Sequence, residues 1–174
     1  LRNAEEMLKK SEEAGLDFHK GVALIFKAYN FGMITDLWGD APFSKALLGE
    51  EGGANLQPVF DSQKDIYTGI LAMLEEANTL LSKDAAEYKD INATQDVLYK
   101  GNVAQWRKFA NSLALRYYMR LSVKEPATAK GGIEKLTADP ARYPLILEAA
   151  DDASFPYVGN SSGDSWPCNT AYDI

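Results

Sequence analysis

The side chains best suited to hold a ligand lie near the end of this sequence, in a stretch without helical periodicity. Aromatic rings offer flat apolar faces, and amide, hydroxyl and carboxylate groups beside them supply hydrogen bonds, which is the combination that binds sugars. The stretch provides both kinds of group at Tyr157, Asn160, Asp164, Trp166 and Tyr172. The alternative is that these aromatic residues only anchor a long surface loop to helices beneath it.

Neighbouring carboxylates are the next candidates for chemistry, because a glycosidase uses one carboxyl group as acid and another as nucleophile or base. The adjacent pairs are Glu12/Glu13, Glu75/Glu76 and Asp151/Asp152. Adjacent residues on a helix point about 100° apart, so the two glutamate pairs are typical of solvated helix faces. No third residue is placed to organise any of these pairs, and we therefore expect a protein that is not an enzyme.

Composition excludes several other functions. The formal net charge of −7 over 174 residues argues against a nucleic-acid partner, which would require clustered Lys and Arg. The single cysteine, Cys168, rules out a disulfide within the sequence, and the single histidine, His19, argues against a histidine-based metal site or a catalytic triad. We expect no metal and no cofactor. No apolar run approaches the roughly 18–20 residues that span a membrane.

Helix-period apolar residues extend over most of the chain. Helices are predicted over residues 2–14, from Asp17 to about Trp38, over 61–82, over 103–122 and over 127–136, with a short helical piece around 94–99. In the second helix, spacings of three and four predict one buried face made of Phe18, Val22, Ile25, Phe26, Tyr29, Met33 and Leu37. After Pro140 the periodicity disappears, which predicts short strands and long ordered loops.

The second helix ends in a corner with the sequence Trp-Gly-Asp-Ala-Pro, residues 38–42. Pro42 cannot continue a helix, and the Asp40 carboxylate is expected to accept hydrogen bonds from the backbone of its own turn. Trp38 is expected to pack in the core, as large aromatic residues at helix ends usually do. The alternative is an exposed ring on which a sugar could stack.

Two arginines on the predicted helix 103–122 suggest a contact with this corner. Arg116 and Arg120 flank the apolar face, where either side chain could lie along the rim with its charged end in water. A sharper hypothesis is that Arg116, together with Asn111, reaches Asp36 or Asp40 and holds the corner by charge-assisted hydrogen bonds.

Two longer segments carry a family resemblance. The first is ITDLWGDAPFSKAL (34–47), and the second is DVLYKGNVAQWRKFANSLALRYYMRLS (96–122), followed by ADDASF at 150–155. Their order and spacing resemble the SusD/RagB family of outer-membrane lipoproteins, and more closely its starch-binding-associated SusD-like branch. The resemblance covers most of residues 18–158. Its structural motif residues are Asp40, Pro42, Trp106, Asn111 and Arg116.

The resemblance implies a fold and a function. Members are nutrient-binding, non-enzymatic lipoproteins of the bacterial cell surface that deliver oligosaccharides, or in some branches peptides, to a SusC-like TonB-dependent transporter. The implied fold is all-α, with tetratricopeptide-like helical hairpins packed as a right-handed scaffold. Residues 1–142 would form that scaffold, and 143–174 would begin an incomplete, loop-rich ligand-binding part. The lipid anchor and much of a member's length are missing, so we expect a piece of a longer protein.

The alternative function is a helical-repeat scaffold that binds protein or peptide and has no role with sugars. The two functions differ in what they require of the large aromatic side chains. Sugar binding requires exposed rings, so burial of Trp38, Tyr157, Trp166 and Tyr172 together would favour the alternative.

Overall fold

The computed structural model describes residues 1–159 and 165–166, and within these residues it contains five α-helices and no strand. The helices are α1 (Arg2–Ala14), α2 (Asp17–Trp38), α3 (Gln63–Leu80), α4 (Val103–Leu121) and α5 (Pro126–Ala138). Short 3-10 turns occupy Gly49–Glu51, Gly53–Leu56, Ala85–Glu87 and Ala149–Asp151. The all-α prediction is confirmed, whereas the predicted short strands after Pro140 are absent from the described residues.

The first two helices form an antiparallel hairpin. Gly15 ends α1 in the left-handed conformation, with φ of 64°, and only one further residue separates it from α2. Lys20 on α2 pairs with Glu12 (Nζ to Oε1, 3.1 Å), and Lys27 pairs with Glu5 (Nζ to Oε2, 2.6 Å). Residue numbers therefore rise along one helix as they fall along the other.

The remaining helices continue this arrangement, as the tetratricopeptide-like prediction expects. Helix α3 packs on α2, α4 packs on α3, and α5 packs on α4. Local side-chain caps start α3 and α4, because Ser62 Oγ accepts a hydrogen bond from Asp65 N and Asn102 Oδ1 accepts one from Gln105 N. The most completely buried side chains come from α2 and α3 and include Ile25, Ile66, Ile70 and Leu74.

The apolar face of α2 is buried only along its first half. Phe18, Val22 and Ile25 are buried and Phe26 is half-buried, but Tyr29, Met33 and Leu37 are exposed. The prediction of one continuous buried face is therefore wrong for the last three residues. α1 begins at Arg2, level with the middle of α2, and beyond that point the buried side chains of α2 are instead Phe31 and Thr35.

The short helix predicted around residues 94–99 is absent, and turns take its place. The Asp96 carboxylate accepts hydrogen bonds from the backbone N–H groups of Leu98 and Tyr99 (3.0 and 3.1 Å). Because a short acidic side chain can take backbone donors that a helix would use, the segment folds as a turn around Asp96.

Two adjacent glycines in α5 provide a matched test of its packing. A Cβ built on Gly132 would lie 2.2 Å from the Tyr118 ring on α4, whereas a Cβ on Gly131 meets nothing within 4 Å. Gly132→Ala is expected to lower the free energy of unfolding by about 1–2 kcal/mol through overpacking. Gly131→Ala is expected to raise it by about 0.5–1 kcal/mol, because alanine loses less backbone entropy on folding. Urea denaturation of both variants measures the difference, and equal effects would contradict the packing described here.

Candidate functional site

Three aromatic rings meet at the end of the described chain. The ring centroids of Phe155 and Tyr157 are 4.7 Å apart, and those of Tyr157 and Trp166 are 5.2 Å apart with nearly perpendicular planes. All three side chains are about half exposed, at 51%, 41% and 50%. We call these residues the aromatic cluster. It presents apolar ring faces to solvent, as sugar stacking requires.

Of the other residues of the predicted ligand-binding set, Trp38 alone lies within the described residues. Asn160, Asp164 and Tyr172 lie outside the described residues. Trp38 is 71% exposed, so the expectation that it packs in the core is wrong. It is the last residue of α2 and lies about 30 Å of helix away from Phe18. Trp38 is therefore a separate exposed ring.

A cavity of about 550 Å³ lies beside the aromatic cluster. It is enclosed by α1, the first half of α2, the turn at 92–98, the start of α4 and two residues of the cluster. Its lining residues are Met7, Phe18, His19, Val22, Phe26, Asn92, Gln95, Asp96, Val97, Leu98, Trp106, Phe155 and Tyr157. We refer to it as the α1–α2 cavity.

Trp106 and Asp96 fix one wall of the α1–α2 cavity. The Trp106 ring is almost fully buried and packs edge-on against Phe26 and Tyr99. Its Nε1 donates to Asp96 Oδ2 at 2.7 Å, and the same carboxylate accepts three backbone N–H groups, including that of Gly101 at 2.8 Å. Burial alone would raise the pKa of Asp96, but these hydrogen bonds outweigh burial and lower the pKa.

Asp151 attaches the segment that carries the cluster to α4. Tyr99 Oη donates to the Asp151 carbonyl oxygen at 2.9 Å, and Lys108 Nζ lies 2.7 Å from the Asp151 carboxylate. Gln105 Nε2 donates to the neighbouring carbonyl of Ala150 at 2.8 Å. Burial, with the nearby carboxylates as a second cause, raises the pKa of Tyr99 to about 12, so its hydroxyl remains a donor. This attachment determines where Phe155 and Tyr157 can lie.

The corner at residues 38–42 is bound to the start of α3. The Asp40 carboxylate accepts a hydrogen bond from Gln63 N at 2.8 Å, and Gln63 Nε2 donates to the Thr35 carbonyl at 2.7 Å. Directly after the corner's Asp40, Ala41 forms an isolated antiparallel bridge with Asp61. The backbone donor that Asp40 binds is therefore not the one expected from its own turn, because Gln63 lies 23 residues downstream.

The arginine that reaches this corner is Arg120. Its guanidinium pairs with Asp36, which also accepts a hydrogen bond from Tyr67 Oη. Asn111 Nδ2 instead donates to Asn78 Oδ1 at 3.0 Å and to the Pro144 carbonyl at 3.1 Å. The hypothesis that Arg116 and Asn111 hold the corner is therefore wrong. Arg120 lies one helical turn further along α4, where α4 meets the end of α2.

Sequence reasoning missed Phe155 and the α1–α2 cavity. Phe155 precedes Tyr157 by two residues in non-helical chain, and this Phe-x-Tyr spacing could have placed both rings on one side. The cavity left no comparable signal, because Met7, Phe18 and Trp106 each lie on a helix face that predicts only core packing.

The sequence and the fold both match known proteins. The model of the SusD-like family, described as starch-binding associating with outer membrane, matches residues 1–170. The fold is similar to that of a SusD homologue from Bacteroides fragilis, with a TM-score of 0.79, 29% sequence identity and coverage of 95% of this chain. It is also similar to a chitin-binding SusD homologue from Flavobacterium johnsoniae, with a TM-score of 0.73, 31% identity and coverage of 86%.

The chain spans about a third of these structures, 34% of the first and 30% of the second. Among curated proteins, it is 27% identical over 147 residues to UvrABC system protein C of Rhodopseudomonas palustris, covering 73% of this chain and 21% of that protein. An identity of that size over a fifth of a protein does not show a shared family. No helix in the described part of the chain is both long and apolar enough to cross a bilayer.

Proposed function

The chain belongs to the SusD-like family, and from that premise we propose that it is part of a non-catalytic, glycan-binding lipoprotein of the bacterial outer surface. The observation that carries the proposal is the exposed Tyr157–Trp166 ring pair at the rim of the α1–α2 cavity. In this proposal, residues 1–142 are the helical scaffold and residues 143–174 begin the ligand-binding part. The Asp151 attachment holds the start of that second part against the scaffold.

The aromatic cluster and the chain's charge indicate the kind of glycan. Perpendicular rings can contact two differently oriented sugar faces, and each stacked ring contributes both apolar contact area and specific geometry. The net charge of −7 disfavours an anionic polysaccharide. The family description names starch and the Flavobacterium relative is called chitin-binding, and both of these are uncharged polysaccharides. The proposed ligand is accordingly a neutral oligosaccharide.

The environment of the candidate carboxylates supports binding without catalysis. Glu75 lies 2.8 Å from Lys135 Nζ and accepts a hydrogen bond from Tyr143 Oη at 2.9 Å. Although burial raises the pKa of Glu75, these partners lower it overall. A glycosidase acid needs a raised pKa, so Glu75 is not suited to that role. Asp151 is likewise bound, to Lys108.

Family membership also supports a partner and a location. We propose a SusC-like TonB-dependent transporter as the partner, with the outer membrane as the location and a lipid anchor as the attachment. The alternative, a peptide-binding scaffold without sugars, would be favoured if the aromatic rings were buried. Trp38, Tyr157 and Trp166 are all exposed.

Affinity electrophoresis in gels containing soluble starch or glycol chitin tests the proposal. The wild-type chain is expected to be retarded by at least one of the two polysaccharides. The double variant Tyr157→Ala/Trp166→Ala is expected to lose about 30-fold or more in affinity, since two stacked rings are removed. Trp38→Ala is the matched control, an exposed tryptophan outside the cluster, and should leave the retardation unchanged.

Two outcomes would contradict the proposal. Absence of retardation by either polysaccharide would count against sugar binding by this chain. Retardation that survives in the double variant but disappears in Trp38→Ala would move the sugar site to the corner at residues 38–42.

A further inference from the structure

The α1–α2 cavity is more apolar than sugar stacking on the aromatic cluster would require. Its walls are mainly aliphatic and aromatic, and its volume of about 550 Å³ falls within the 300–1,000 Å³ typical of small-molecule sites. Sugar rings carry hydroxyl groups around their edges, so burying a whole sugar among apolar walls would leave those groups without partners. The walls instead suit a flat apolar group.

One polar side chain of the cavity lining has hydrogen-bond donors that no described residue uses. Asn92 Oδ1 accepts hydrogen bonds from Thr94 N and Oγ1, at 3.0 and 2.7 Å, which leaves the Asn92 amide hydrogens free to donate. A ligand oxygen that accepts a hydrogen bond from the Asn92 amide would therefore gain affinity.

The charges around the cavity favour a neutral occupant. Asp96 is the one charged residue among the described lining residues, and four donors already occupy its carboxylate. No lysine or arginine lines the cavity in that part of the chain, so an anionic group would find no counter-charge.

We propose that the α1–α2 cavity is a subsite for a neutral aromatic substituent carried by the glycan that stacks on the cluster. This inference rests on the proposed function. The two sites are continuous, because Phe155 and Tyr157 belong both to the cluster and to the cavity lining. A sugar on the outer faces of Tyr157 and Trp166 would direct a substituent inward, where the Asn92 amide can donate to its linking oxygen.

Isothermal titration calorimetry of the 174-residue chain tests the subsite. The ligands are the phenyl and methyl glycosides of glucose and of N-acetylglucosamine, together with free phenol. The phenyl glycoside is expected to bind about tenfold or more tightly than the methyl glycoside of the same sugar. Val97→Trp, which fills the cavity from a partly exposed position, should abolish that difference. Val123→Trp, at a valine that is 84% exposed and not part of the lining, is the matched control and should preserve it.

A third variant tests the polar contact, and phenol separates the two proposals. Asn92→Asp keeps the acceptor for Thr94 but removes the amide hydrogens, and should weaken phenyl glycoside binding about fivefold. If phenol binds the wild-type chain and not Val97→Trp, the subsite is supported even when neither polysaccharide retards the protein. The subsite is overturned if phenol does not bind, or if Val97→Trp still binds the phenyl glycoside more tightly than the methyl glycoside. Either result counts even if starch or glycol chitin retards the protein.

Discussion

Replacing Asp96 with alanine is expected to lower the free energy of unfolding by about 3 kcal/mol, because buried donors would lose their shared acceptor. Trp106 Nε1 is the most important of these donors, since its ring is almost fully buried and water cannot replace the carboxylate. The turn at 92–98 depends on the same acceptor for three backbone N–H groups. Urea denaturation followed by circular dichroism measures the change.

The matched control is Asp152→Ala, at an exposed aspartate in the segment that follows the Asp151 attachment. That variant should change the free energy of unfolding by no more than about 0.5 kcal/mol. Similar losses in both variants would mean that Asp96 contributes only as a surface charge.

The lowered pKa of Asp96 predicts a pH dependence with a definite sign. A carboxyl group whose pKa is lower in the folded state stabilises the protein above its unfolded pKa, which is about 3.9 for aspartate. That contribution is lost as the pH falls below this value and through the folded pKa. The stability difference between wild type and Asp96→Asn should therefore be largest above about pH 5 and shrink towards pH 2. A difference that grows with acidity would contradict the sign.

Gly32→Ala is expected to have a comparable effect, lowering the free energy of unfolding by about 3 kcal/mol. A Cβ on Gly32 would lie 2.0 Å from the Tyr117 hydroxyl oxygen, and Tyr117 is buried with its hydroxyl donating to the Ala28 carbonyl at 3.2 Å. Relief of this clash would require moving the ring and breaking the hydrogen bond. Thermal and urea unfolding measure the loss.

The double variant Gly32→Ala/Tyr117→Leu isolates this clash. Leucine removes the ring atoms that the new methyl group would meet, so the double variant should lose less stability than the sum of the two single variants. Strictly additive losses would show that the two residues do not meet as described.

The helices were predictable because their start and stop signals are local. Ser62 and Asn102 each cap a helix within three residues of themselves, and Gly15 ends α1 where no other residue adopts that conformation easily. The choice between Arg116 and Arg120 was not predictable, because both lie on the same side of α4. Arg120 pairs with Asp36 because it is the arginine that lies beside the end of α2 in the folded chain.

Part of the candidate site was predictable from residue types alone. The residue types at Tyr157 and Trp166 indicate ring stacking wherever they lie, and both rings are indeed exposed. The α1–α2 cavity could not be foreseen, because it depends on residues as far apart as Met7 and Phe155. Likewise, periodicity identifies the apolar face of α2 but not how far α1 extends to cover it.

The attachment of Asp151 to α4 would lower the entropy cost of the proposed ligand binding. Phe155 follows Asp151 by four residues, and a chain of that length reaches at most about 14 Å. The first ring of the cluster is thus tethered within a small sphere around Asp151, at a high effective concentration relative to a glycan held by the other rings of the cluster. Much of the entropy cost of bringing ring and ligand together is already met when the protein folds.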